Sequence, residues 1–154
     1  MVEIREGIEE ARRSNLGYMR GFMLGWLSTI QIKAGVPEIA LSTLNEALEQ
    51  TNDVTGRAWE SELLRLRGDA LLAVRADAVA EAEHDYINAI SVAQKQSAHS
   101  LELRAATSLA RLLQRQGRSV EARERLAPAF NWFTEGFDTL DLKEAKTLLD
   151  TLAA

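Results

Sequence analysis

The chain has 154 residues, 46% hydrophobic and 27% charged, with a net charge of −5, the size and balance of about one soluble domain with a sizeable core. Acidic residues outnumber basic ones, 23 to 18, which argues against general nucleic-acid binding, because neutralising phosphates needs a basic surface. No cysteine is present, so disulfides, thiolate metal sites and cysteine nucleophiles are excluded, and the composition fits a cytoplasmic setting.

Leu, Ala, Glu and Arg dominate; these are strong helix formers, and an all-α chain is expected. Residues 2–13 read as a charged helix with Ile4, Ile8 and Ala11 on one face, unlike a secretory signal. A second helix covers 15–34 and ends at Gly35, which takes the left-handed cap conformation without steric cost. Its most apolar part, residues 21–30, is about half the length of a spanning helix, so no membrane segment is expected. Gly17, Gly21 and Gly25 recur every four residues there and predict a smooth stripe against a closely packed neighbour. Pro37 opens a helix reaching about residue 50, and a turn follows over 52–56. A long helix is expected over 57–74, then one over 78–96 with Asp77 as its N-cap. Residues 97–100, including His99, read as a connection. The next helix covers 101–116 and stops at Gly117. Ser119 is the expected cap of a helix over 120–133, and Gly136 breaks the chain. Asp141 and Glu144 have the spacing of a capping box for a last helix reaching Leu152. The total is about eight helices.

A spaced signature recurs along this series: Ala40–Leu44–Ala47, Ala82–Tyr86–Ala89 and Ala122–Leu126–Ala129. The spacing is four residues and then three, and the copies are 42 and 40 residues apart. A fixed period of this size marks a helical-repeat array rather than a single-cored enzyme. Ala47, Ala89 and Ala129 are expected to let paired helices approach, with Leu44, Tyr86 and Leu126 filling the space beside them. Gly35 and Gly117 supply the turn in two hairpins, and residues 75–77 serve the middle one. Ile4, Ile8 and Ala11 repeat the four-then-three spacing. They read as the second helix of a repeat whose first helix is missing, so the chain is expected to be a piece of a longer protein. One helical-repeat domain over 1–154 is the result: a half repeat at 1–14, helix pairs at 15–52, 57–96 and 101–133, and a C-terminal cap helix at 139–152.

Gly35, Ala40, Leu44 and Ala47, and again Gly117, Ala122, Leu126 and Ala129, match the tetratricopeptide pattern at its small and large positions, with a period longer than that family's 34. Residues 56–68 (GRAWESELLRLRG), 101–106 (LELRAA) and 132–138 (WFTEGFD) resemble the tetratricopeptide-like C-terminal regions of bacterial multidomain signalling regulators. Those proteins join an adenylate/guanylate cyclase or DNA-binding domain to a signalling ATPase and a helical-repeat tail. The resemblance implies an all-α, tetratricopeptide-like helical-repeat superhelix of antiparallel helix pairs, acting as a non-catalytic interaction or sensor module. In such arrays the first helix of each pair lines a concave groove. Counting from Gly117 puts Arg104, Thr107, Arg111, Gln114 and Arg115 on that face, and counting from Gly68 adds Glu62, Arg65 and Asp69. The partner-binding candidates are therefore Arg65, Asp69, Arg104, Thr107, Arg111 and Arg115. An arginine stripe suits an acidic peptide or carboxylate; the competing reading is a solvated face with intrahelical pairs such as Glu62 with Arg65.

Catalytic constellations are missing from the sequence. The two histidines, His84 and His99, have no ligand spacing around them, so no metal is expected. There is no phosphate-binding glycine loop and no nucleophile elbow; no cofactor is expected. Trp132, Phe133 and Phe137, with Phe130 a turn earlier, read as a core sealed by Leu142, Ala145, Leu148 and Leu149, and Trp26 and Trp59 read as packing residues. The expected partner is a protein or peptide, including other domains of a parent protein, with neither nucleic acid nor membrane. The alternative is a homodimer formed through the Ile4, Ile8 and Tyr18 region.

Overall fold

The computed structural model describes residue 6, residues 17–49 and residues 56–153. The expected helix over 2–13, with its Ile4, Ile8 and Ala11, and the turn at 52–55 lie outside the described residues, as does the side chain of Tyr18. Among the described residues the fold is all-α, with no strand. Seven α-helices among the described residues follow one another: α1 (Gly17–Lys33), α2 (Pro37–Glu49), α3 (Glu60–Val74), α4 (Val79–Lys95), α5 (His99–Arg115), α6 (Ser119–Asn131) and α7 (Leu140–Leu152). A 3-10 turn, Gly56–Trp59, leads into α3.

Three helix ends share one backbone device. After α1, Gly35 N donates to Ile32 O and Val36 N to Gln31 O; after α5, Gly117 N donates to Gln114 O and Arg118 N to Leu113 O. Both glycines have positive φ, +74° and +77°, as this double-bonded C-terminal motif requires. The third case is unannounced in the sequence. Ser97, at φ 53°, closes α4 with the same pair of bonds, Ser97 N to Gln94 O and Ala98 N to Ala93 O.

The expected N-caps are replaced. Asp77 lies in a turn closed by Ala78 N donating to Arg75 O, and Ala78 rather than Asp77 precedes α4 with no side-chain cap. Ser119 is the first residue of α6, because the turn at Gly117 already uses Arg118 as the capping position. The Asp141–Glu144 box does not form either: Thr139 precedes α7 and caps it with no side-chain bond. Its hydroxyl instead donates to Gly136 O, and Glu144 reaches away to Arg111. His99 begins α5 rather than lying in a connection.

Contacts are local in sequence. Each helix packs against its neighbour and, along the odd-numbered row only, against the next but one: α1 on α3, α3 on α5, α5 on α7. The odd helices run parallel. Gly21 faces Trp59 and Gly25 faces Leu63 and Leu66; Arg104 meets Glu62, and Arg104 and Arg111 meet Asp141 and Glu144 in the same order. Within a hairpin the order reverses, with Ser61 bonded to Ala89 and Arg67 to Asp85.

All nine signature residues are buried: Ala40, Leu44, Ala47, Ala82, Tyr86, Ala89, Ala122, Leu126 and Ala129. They lie on the inner faces of α2, α4 and α6. One core cluster joins α1, α2 and α3, a larger one joins α4 to α7, and Leu64, Ala89 and Ala105 link them. The tightest glycine is Gly68, where a Cβ would stand 2.5 Å from Tyr86 Cε1. The large residue of the middle signature fills that missing side chain. The Gly21 and Gly25 stripe is looser, since a Cβ on Gly25 would sit at an ordinary 3.6 Å from Leu66. It forms a shallow floor, not a forced close approach.

Two aromatic expectations are corrected. Trp26 is 62% exposed, because it lies beside the glycine floor on the side of α1 facing away from α2. Leu142, Ala145 and Leu148 do seal the end of the core, with Phe130, Phe133 and Leu149 packed on it. Trp132 and Phe137 stay outside, where Trp132 stacks on His99 at 3.8 Å. No helix among the described residues is long and apolar enough to cross a membrane.

Candidate functional site

Because the odd helices are parallel neighbours, residues at matching heights on α3, α5 and α7 come together on one face. Glu62 is the centre of its charged part. Arg65 binds both Glu62 oxygens, Nε to one at 2.9 Å and Nη2 to the other at 2.7 Å, and its Nη1 binds Asp69 at 2.7 Å. Arg104 adds a bond to Glu62 at 2.8 Å and leans towards Asp141 at 3.9 Å. Burial would lower the Arg65 pKa, but the Glu62 and Asp69 carboxylates outweigh it and hold the guanidinium above its ordinary value. Tyr86 donates its hydroxyl to the second Asp69 oxygen at 2.7 Å. Burial first, and the Asp69 charge second, push this phenol far above the ordinary tyrosine range.

That shift carries a pH dependence with a definite sign. The folded phenol keeps its proton where an unfolded tyrosine, with pKa about 10, loses it. Above that pH the folded state binds more protons than the unfolded one, so stability falls as pH rises, by up to about 1.4 kcal/mol per pH unit. Urea unfolding from about pH 9 to about pH 11 is expected to show this decline, and Tyr86→Phe to flatten it.

The six sequence candidates divide as follows. Arg65, Asp69 and Arg104 meet in the network around Glu62. Arg111 pairs with Glu144 at 2.6 Å, both half exposed; an exposed pair of this kind contributes about 0.2–1 kcal/mol and opens readily. Thr107 is buried and its hydroxyl donates to Leu103 O at 2.7 Å, so it belongs to the core side of α5 rather than the open face. Arg115 is exposed, makes no ion pair among the described residues, and borders two clefts: one of about 360 Å³ between α3 and α5 and one of about 460 Å³ between α5 and α7. The expected basic stripe on α5 is thus largely neutralised by Glu62, Asp141 and Glu144 from the helices on either side. Reading one helix at a time hides those partners.

A third cleft, absent from the sequence reading, lies between α1 and α3. It holds about 440 Å³; Gly21 and Gly25 form its floor, Phe22, Trp26, Ile30, Trp59, Leu63 and Leu66 its apolar walls, and Lys33, Glu62 and Arg104 part of its rim. Phe22 packs on Trp59 at 5.0 Å and on Trp26 at 5.8 Å. This volume and an apolar lining with few polar groups suit a bound side chain or small ligand. The sequence signal was there: the glycines at every fourth position, flanked by Phe22, Trp26 and Ile30.

Among the described residues no group of three or more His, Asp or Glu side chains could hold a metal ion. His84 is exposed and hydrogen-bonds Asn88. No family model, curated protein or solved structure matches the chain.

Proposed function

We propose that this chain is a non-catalytic protein-interaction module, a tetratricopeptide-like superhelix that binds a peptide or partner domain along its row of odd helices. The observation that carries the reading is the row itself, with three open clefts of about 440, 360 and 460 Å³ in succession along one face. The odd helices touch one another sideways and the even helices do not. A two-layer array packed more tightly on one side bends towards that side, which makes the odd row concave. An apolar cleft at one end and Arg115, without an ion pair among the described residues, at the other suit a segment with apolar and acidic residues.

The likeness of residues 56–68, 101–106 and 132–138 to bacterial regulator tails supports a place for this module in a cytoplasmic signalling protein. There it would report binding to a nucleotide cyclase, ATPase or DNA-binding output. Selection of random displayed peptides against the chain tests the binding role. Enriched peptides are expected to shift amide resonances of α1, α3, α5 and α7. Failure to enrich any peptide, or shifts confined to α2, α4 and α6, would overturn the reading.

A further inference from the structure

Two apolar exposures among the described residues carry opposite unpaired charges. The first is the α1–α3 cleft, where Trp26 is 62% and Ile30 37% exposed. Lys33 on its rim makes no ion pair among the described residues, while Arg104 there is held by Glu62 and Asp141. The second is the loop joining α6 to α7. Residues 134–140 are exposed without interruption; the loop presents Phe137, 47% exposed, and Leu140, the first residue of α7, is 69% exposed. Glu135 and Asp138 flank them and make no ion pair among the described residues. Gly136, at φ +76°, and the bond from Thr139 N to Gly136 O fold the loop into a projecting turn.

We infer that the α1–α3 cleft of one copy receives the α6–α7 loop of a second copy, joining chains head to tail; this rests on the proposed reading of the odd row as a binding face. Phe137 and Leu140 enter the apolar cleft beside Trp26, and Glu135 and Asp138 meet Lys33. Within one chain α3 and α5 stand between the axes of α1 and α7, and the near approach is at the rim, where Asp141, just after the loop, comes within 3.9 Å of Arg104. Two different patches meeting in this way form a heterologous contact, which propagates into a chain or closes into a ring. The contact also combines attributes of stable interfaces, an aromatic anchor in a pocket with a charged rim.

Sedimentation velocity over a concentration series tests it. The wild-type chain is expected to grow beyond a monomer with concentration, less so at high salt, which screens the exposed charges. Trp26→Ala and Phe137→Ala should each weaken association about tenfold or more. Their equimolar mixture should form a dimer and nothing larger, because one intact cleft and one intact loop remain. Lys33→Glu, at an exposed position, should also weaken association, and Asp138→Lys in the partner should restore it; this pair holds even if Trp26→Ala unfolds. A wild-type chain that stays monomeric overturns the inference. So does a mixture of folded variants that fails to associate, which would point to a two-fold contact elsewhere. If selected peptides still bind the cleft of a monomeric chain, the binding role stands and the self-association alone falls.

Discussion

Arg67→Ala is expected to destabilise the fold by about 3 kcal/mol, near the lower end of the range for breaking a buried ion pair. Arg67 clamps Asp85 with two bonds, Nε at 2.7 Å and Nη2 at 2.6 Å. The Asp85 side chain is only 3% exposed while Arg67 keeps 28%. The bond to Asp85 raises the Arg67 pKa above its ordinary value despite partial burial, so the guanidinium is charged at every pH at which the protein is handled. Removing it leaves a carboxylate on α4 with little water and no counter-charge; the charge is what destabilises, more than the lost contact. Truncating both partners is therefore expected to cost less than truncating Arg67 alone. Thermal unfolding reads the difference: a loss of 3 kcal/mol lowers the midpoint by roughly 6–12 °C for a domain of this size. A drop below about 2 °C in Arg67→Ala would mean that Asp85 finds solvent or another partner.

Leu126→Ala is expected to cost about 3–4 kcal/mol, within the range for emptying a well-packed leucine site. Leu126 is fully buried in the larger core cluster, among residues of α4 to α7. Its neighbours on the same face of α6, Ala122 and Ala129, are also buried and too short to refill the cavity from their own helix. The loss should be uneven along the molecule. The cluster of α1, α2 and α3 shares no residue with the one that holds Leu126, apart from the small link through Leu64, Ala89 and Ala105. In an array whose stability is a sum of neighbour terms, damage stays near its origin. Native-state hydrogen exchange should lose protection mainly in α5, α6 and α7, and least in α1 and α2. Uniform loss across α1 to α7 would show that these helices unfold as one unit.

Legibility in the sequence followed the range of the interactions. The four-then-three spacing named nine buried residues correctly, because helix periodicity ties spacing to a face without reference to anything distant. Gly35 and Gly117 were readable as helix ends, since a positive φ selects glycine. Ser97 was not readable, because serine seldom adopts that conformation and the flanking bonds to Gln94 and Ala93 hold it there. Asp77, Ser119 and Asp141 misled for a related reason. A capping side chain works only at one position, and the turns between these helices placed Ala78, Arg118 and Thr139 in it instead.

The candidate site was legible only by halves. Arg65, Asp69, Arg104, Arg111 and Arg115 were placed on the odd helices from the repeat period, and Thr107, one helical position away, turns inward. The Arg65 pair with Glu62 was readable within one helix, but what Arg104 and Arg111 do was beyond reach, since Glu62, Asp141 and Glu144 come from segments about 30 to 40 residues distant in sequence. The α1–α3 cleft escaped for the same reason: a glycine stripe reads as packing until the distance to the facing helix is known.

By itself, the sequence determined the helical class and the nine signature residues of the core, because both depend on spacing within a single helix. The tertiary structure decided which charges neutralise one another, that Trp26 and Phe137 face outward, and where the open clefts lie. Those depend on the height at which one helix meets the next, and that height is set by the packing of side chains across helices rather than by any pattern along one of them.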